Sequence, residues 1–191
     1  MARVIPQAIK VVVAGGFGSG KTTLVGAVSE IPPMRTEEVL TDASIGVDDL
    51  AGIEDKRHTT VALDFGRITI SPSHVLYLFG TPGQDRFWFM WDELSRGALG
   101  AIVLVDTRRL DKSFAAVDYF ERRRVPFVVA INLFHGQCEY TDEEVASALK
   151  LDSSVPIVRC DVRRTDQAKL ALIKVVRLVM ARLSAPTAVS R

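Results

Sequence analysis

The segment Gly15-Gly16-Phe17-Gly18-Ser19-Gly20-Lys21-Thr22 constrains this chain more than any other eight residues. It matches the pattern G-x-x-x-x-G-K-[ST]. It lies between Ile9–Ala14, an apolar, largely β-branched run broken only by Lys10, and a predicted helix over Lys21–Ile31 that Pro32-Pro33 stops. An apolar run of that kind reads as a strand buried on both faces. The glycines permit close backbone approach, so that successive N–H groups surround phosphate oxygens with help from the helix N-terminus. In that setting Lys21 reaches the outer phosphates, the Thr22 hydroxyl coordinates Mg²⁺, and Thr23 continues the same turn.

Strand and helix periodicities alternate along the rest of the chain. Val61–Thr69 and Val75–Phe79, joined by Ser71-Pro72-Ser73, read as an antiparallel hairpin. Further strands are expected at Ala98–Asp106, Phe127–Asn132 and Pro156–Cys160. Helices are expected near Lys112–Arg123, from a cap at Thr141 or Asp142 to Leu149, and over Asp166–Leu183. Met34–Thr59 is polar and reads as irregular, a length of chain that in a compact domain is more often functional than idle. This order predicts an α/β fold with a mostly parallel six-stranded sheet and helices on both faces. Its 191 residues, 48% of them hydrophobic, suffice for one domain over 1–191 with a frayed tail from about 185.

The net charge of +1 argues against a nucleic-acid protein. Cys138 and Cys160 lack metal-ligand spacing and read as reduced thiols. With no apolar run of a membrane-spanning length, Ala2 in place of a myristoylation glycine and no C-terminal cysteine, the expectation is a cytoplasmic protein without a direct membrane anchor.

Over nearly its whole length the chain resembles a Ras-like small GTPase, a P-loop NTPase. The likeness is greatest to the GTP-binding proteins of actinobacterial conservon operons and more distant to bacterial polarity-switch GTPases. It rests on Gly15–Thr23, Thr59-Thr60-Val61-Ala62-Leu63-Asp64-Phe65-Gly66, Gly80-Thr81-Pro82-Gly83-Gln84 and Asn132-Leu133-Phe134-His135. The resemblance implies GTP/GDP as ligand, Mg²⁺ as cofactor and slow GTP hydrolysis. It implies that Thr60, with Thr59 as the alternative, reaches Mg²⁺ and the γ-phosphate from a first switch. Gly83 would donate its N–H to that phosphate, and Gln84 would orient the attacking water. Lys56 and Arg57 either lend positive charge to the transition state or are solvated loop charges.

Three departures stand out. The family's acid four residues before the glutamine is Gly80, and Asp64 on the neighbouring hairpin strand is the candidate replacement, against a purely buried structural role. The guanine-reading N-K-x-D segment retains Asn132 but has Leu133 and His135 where lysine and aspartate are usual. Cys160-Asp161-Val162 replaces the usual S-A-K turn, so Asp161 either supplies the missing carboxylate or caps a turn. GTP is expected over ATP.

Phe17 occupies a loop position where many small GTPases have glycine. It either shields the phosphate and blocks an activator's arginine, or covers the segment after the first helix. Phe87-Trp88-Phe89-Met90-Trp91 follows the second switch and reads either as a partner surface or as a helix buried against its neighbour. The resemblance points to roadblock-type dimers and other conservon products, including a sensor-kinase-like membrane protein that would recruit the chain. Arg108-Arg109, Arg122-Arg123-Arg124 and Arg163-Arg164 read as solvated helix ends rather than binding patches.

Overall fold

A computed structural model describes residues 5–32, 34–40, 59–83, 89–136 and 138–184, with 34–40 and 59–62 described by their backbone alone. The strands are β1 (Gln7–Ala14), β2 (Met34–Leu40), β3 (Thr59–Ser71), β4 (His74–Gly80), β5 (Gly100–Val105), β6 (Phe127–Asn132) and β7 (Ile157–Cys160). The helices are α1 (Lys21–Val28), α2 (Phe89–Ser95), α3 (Phe114–Arg123), α4 (Asp142–Ala148) and α5 (Thr165–Ser184). Two 3₁₀ segments, Thr107–Ser113 and Phe134–Gly136, follow β5 and β6.

All strands join one sheet in the order β2-β3-β4-β1-β5-β6-β7. β1 pairs in parallel with β4 and β5, and the parallel run continues through β6 to β7. β3 pairs antiparallel with β4 and β2, so the expected hairpin is present. The α/β class stands as predicted. The sheet has one strand more than the six expected, because Met34–Leu40, taken as irregular, pairs along β3. Its sequence, with Arg35, Glu37 and Glu38, carries charges suited to a sheet edge rather than an apolar run, so it lacks the signature of the inner strands.

The fully buried strands β5 and β6 and the buried half of β1, Val11–Ala14, divide two apolar layers. One face holds Val11, Val13, Ile102, Leu104 and Val128 against Leu24 of α1 and Leu172 and Val175 of α5. The other holds Val12, Val103, Val129 and Ile131 against Trp91 of α2, Phe120 of α3 and Val145 of α4. Helices therefore cover both faces, as a parallel sheet requires. Thr141 caps α4 in a reciprocal box with Glu144, settling the choice between Thr141 and Asp142. The strand expected over Ala98–Asp106 is shorter, because Asp106 leaves it to accept from the Arg108 N–H and open the first 3₁₀ segment. Among the described residues no helix is long and apolar enough to cross a membrane, and both cysteines are free.

Candidate functional site

The parallel strands that build the site end at the same edge of the sheet, and antiparallel β3 brings Asp64 beside them. β1 runs into the glycine loop, β4 into Thr81-Pro82-Gly83, β5 into Asp106, β6 into Asn132 and β7 into Asp161. This carboxyl edge of parallel strands is where open α/β sheets place their ligands. The loop has positive φ at Gly15, Gly18 and Gly20, at +142°, +77° and +105°, all in the range where side chains are strained. A cleft of about 360 Å³ opens over it, bordered by Phe17, Lys21, Thr22, Asp64, Thr81 and Gly83.

Lys21 is 7% exposed, and its ammonium donates to the carbonyls of Gly15 at 2.9 Å and Gly16 at 2.8 Å. Burial pulls its pKa down to about 8, with the nearby Asp64 carboxylate opposing that shift. A cation held this way by its own loop is positioned for an anion.

Asp64 is the residue whose orientation the sequence left open. Its side chain is buried, and the Thr22 hydroxyl donates to Asp64 Oδ2 at 2.7 Å. Asp64 is paired across the β3–β4 ladder with Gly80. A side-chain carbon at position 80 would fall 2.9 Å from Asp64 Cβ and 3.0 Å from its Oδ2. The glycine on β4 and the acid on β3 are thus one arrangement: the missing side chain leaves the space into which the neighbouring carboxylate folds. Thr81 Oγ1, in the same cleft, is buried without a protein hydrogen-bond partner.

Gly83 closes on the loop from the other side. A side-chain carbon there would lie 2.7 Å from Lys21 Nζ and 2.9 Å from the Phe17 nitrogen. Phe17 itself is 65% exposed at the rim. It does not lie buried under another segment among the described residues.

Asn132 is 5% exposed and acts within the protein. Its Nδ2 donates to the Ser19 carbonyl at 3.0 Å, and its Oδ1 accepts from the Val162 N–H at 3.4 Å. It therefore ties the glycine loop to the turn after β7. Asp161 is held by Arg163 through a two-pronged contact, Nε to Oδ1 at 2.8 Å and Nη2 to Oδ2 at 2.7 Å. That guanidinium pulls its pKa down to about 2. Asp161 also accepts from the Arg163 N–H, so the turn-capping alternative is realised. Cys160 is fully buried and burial raises its thiol to about 11, which leaves its backbone as the part that meets Leu133. His135 falls in the 3₁₀ turn after β6; its side chain lies outside the described residues.

Of the remaining expected residues, Gln84, Lys56 and Arg57 lie outside the described residues, as do the side chains of Thr59 and Thr60. Of the aromatic run, Phe87 and Trp88 also lie outside them. Trp91 is buried, with its indole N–H donating to the Pro82 carbonyl at 3.3 Å, while Phe89 is 63% exposed. Within the run, Trp91 is therefore buried against its neighbours and Phe89 faces solvent.

Sequence reasoning missed the 3₁₀ segment Thr107–Ser113. Arg108, with 57% of its side chain exposed, is not only solvated: it forks onto Asp106 at 2.8 Å and its guanidinium lies 3.7 Å over the Phe134 ring. Arg109 reaches the Phe17 carbonyl at 2.7 Å. A contact between residues so distant in the chain leaves no local sequence signal. A larger cleft of about 620 Å³ opens at the opposite end of the sheet beside Phe120, Arg124 and Lys150. Those two bases follow the C-termini of α3 and α4, where cations complement the helix dipole without any ligand.

A family model described as conserved hypothetical ATP binding protein matches residues 13–182. The chain belongs to that family. An uncharacterized protein of Methanocaldococcus jannaschii is 30% identical over 126 residues, covering 65% of this chain and 69% of that protein. The G domain of the T. maritima FeoB iron transporter matches in fold with a TM-score of 0.59 and 16% identity, over 93% of this chain and 100% of that one.

Proposed function

We propose that the protein is a nucleotide-dependent switch that binds GTP or GDP with Mg²⁺ and hydrolyses GTP slowly. The observation that carries this reading is the Thr22–Asp64 hydrogen bond of 2.7 Å beside Lys21. It puts a carboxylate next to the loop hydroxyl although the usual acid is Gly80. Among the described residues no cluster of three metal-ligating side chains exists. Mg²⁺ suits such a place, because it binds through one or two protein oxygens and completes its shell with substrate phosphates and water. Thr22 and Asp64 would hold it, with the unpartnered Thr81 hydroxyl close by, and the ion would neutralise charge on the outer phosphates.

In this reading the loop N–H groups and Lys21 bind the phosphates, and the Gly83 N–H senses the last one. Gln84 orients a water whose oxygen forms a bond to the γ-phosphorus as the bond to the bridging oxygen breaks. The electron pair stays on the departing diphosphate, and the water's proton ends on the released phosphate. An intrinsic rate on the order of 10⁻⁴ s⁻¹ is the reference for such a switch without added positive charge. Switch-dependent surfaces, Phe89 among them, would meet roadblock-type proteins and other conservon products, one of them at the membrane.

One observation favours a second reading, a nucleotide-holding module that does not hydrolyse: Phe17 stands exposed at the loop rim, where it can exclude an activator. Single-turnover hydrolysis of GTP by the native protein and Gln84→Ala separates the two. Turnover lost in the variant supports the switch. Background rates in both, with stoichiometric nucleotide bound, leave the holding module. The family description speaks of ATP and Asp161 is engaged by Arg163, so the same assay is run with ATP.

A further inference from the structure

The segment Thr107–Ser113 is seated on the glycine loop at three consecutive residues. A side-chain carbon at Gly16 would fall 2.6 Å from Lys112 Cβ, and one at Gly18 would fall 2.9 Å from Arg109 Nη2. Between them, the Phe17 carbonyl accepts from Arg109 Nη2 at 2.7 Å. Two of the loop's glycines therefore make room for this segment as well as for phosphates.

The backbone serves the same contact. Within Thr107–Ser113 the helical path breaks at Arg109 alone, with φ −142° and ψ 56°. Its neighbour Arg108 is fixed by Asp106 and stacked on Phe134, which anchors the segment from the other side.

The two arginines differ in charge balance. Arg108 forms an ion pair with the buried Asp106, and Lys112 lies 3.4 Å from Asp111. Arg109 has no carboxylate within ion-pair distance among the described residues. A guanidinium without a contact ion pair, anchored on a phosphate-binding loop by one of its five N–H donors, has four left for an anion. The anchoring residue, Phe17, is also one whose backbone lies close to Gly83, where a side-chain carbon would fall 2.8 Å from Phe17 Cα.

We propose that Arg109 is a phosphate-contacting residue that binds the terminal phosphate of a nucleoside triphosphate, supplying from within the chain the positive charge that many switches borrow from an activator. The exposed Phe17 side chain covers the approach an outside arginine would use, and the same residue's carbonyl holds the internal one. This deepens the switch reading and rests on it for the nucleotide, but its first readout does not need turnover. During hydrolysis the guanidinium would stabilise negative charge on the γ-phosphoryl oxygens and exchange no proton. With such a residue in place, turnover belongs near 10⁻² s⁻¹ rather than 10⁻⁴ s⁻¹.

The test compares the native protein with Arg109→Ala and Arg109→Lys. Affinities are measured for GDP and a non-hydrolysable GTP analogue, in parallel with the adenine pair, alongside single-turnover hydrolysis. Arg109→Ala should weaken the triphosphate analogue at least about tenfold while leaving the diphosphate within about twofold. Hydrolysis should fall about a hundredfold. Arg109→Lys, lacking the planar fork, should recover part of the binding but little of the rate. An unchanged triphosphate-to-diphosphate ratio in Arg109→Ala overturns the inference, even if the native protein hydrolyses GTP. Equal losses for both nucleotides also overturn it, since they mark mere support of the loop. If the ratio changes but the native protein shows no turnover, the switch enzyme fails and the phosphate contact stands.

Discussion

In the proposed switch, a single pair of positions across one ladder, Asp64 and Gly80, would decide how Mg²⁺ is held. The carboxylate lies on the strand next to its usual place, and the glycine opposite leaves it room. Losing a charge-assisted hydrogen-bond partner costs about 1.5–3 kcal/mol. Asp64→Ala should therefore lower Mg²⁺-dependent nucleotide affinity roughly ten- to a hundredfold and leave affinity in the presence of a chelator nearly unchanged. Gly80→Ala should produce a similar loss by displacing the carboxylate. The exchange Asp64→Gly with Gly80→Asp should restore much of it; titration of nucleotide binding with and without Mg²⁺ checks all three, and no loss in Asp64→Ala refutes the metal role. Lys21 gives a pH prediction. Its folded pKa, about 8, lies below the ordinary 10.5, so between those values the unfolded chain carries more protons. Stability contributed by this group thus rises with pH across that window, and its penalty is fully present below about 8. Binding of phosphate needs the ammonium, so affinity should fall above pH 8 with uptake of close to one proton. Calorimetry in buffers of different ionisation enthalpy reads that uptake, and Lys21→Arg, which stays charged, should abolish it.

Between elements, the important links are those that bind the ends of different strands. Asn132 at the end of β6 connects the glycine loop to the turn after β7 rather than touching solvent. Asn132→Ala leaves a buried carbonyl and a buried N–H poorly satisfied, a cost of about 1–3 kcal/mol. It should weaken GTP, GDP, ATP and ADP alike. A change confined to guanine nucleotides would instead make Asn132 a base reader. This scale also explains what the sequence could tell. Gly15–Thr22 was legible because all its groups come from one local turn, and β1, β5 and β6 because both their faces are apolar. Gly80 was legible only as an absence, since Asp64's direction depends on the register of β3 against β4. β2 escaped because an edge strand carries charges, and Arg109 because its partner is Phe17, 92 residues away.

At the scale of the whole molecule, the site is assembled from the ends of β1, β4, β5, β6 and β7 and from Asp64 within β3, so filling it couples most of the sheet to the ligand. Any ligand that binds the folded chain alone stabilises it by mass action, about 2.7 kcal/mol at a hundred times its dissociation constant. For a chain of 150–250 residues each kcal/mol raises the midpoint by about 2–4 °C, which gives about 5–11 °C. The family's description names ATP and the fold neighbour is a G domain, and thermal melts decide between them. Asp161, which could accept from the guanine edge, is occupied by Arg163 in the present arrangement. Releasing it breaks an ion pair whose arginine is 57% exposed but whose carboxylate is 12% exposed, so the base must return the hydrogen bonds that Arg163 gives up. If the proposed switch reads guanine, Asp161 would leave Arg163 for the base's N1–H, a hydrogen that adenine does not offer. GTP and GDP should raise the midpoint further than ATP and ADP at equal concentration. Asp161→Ala should remove the difference without removing the shift, and an equal or larger shift with ATP in the native protein refutes guanine selection.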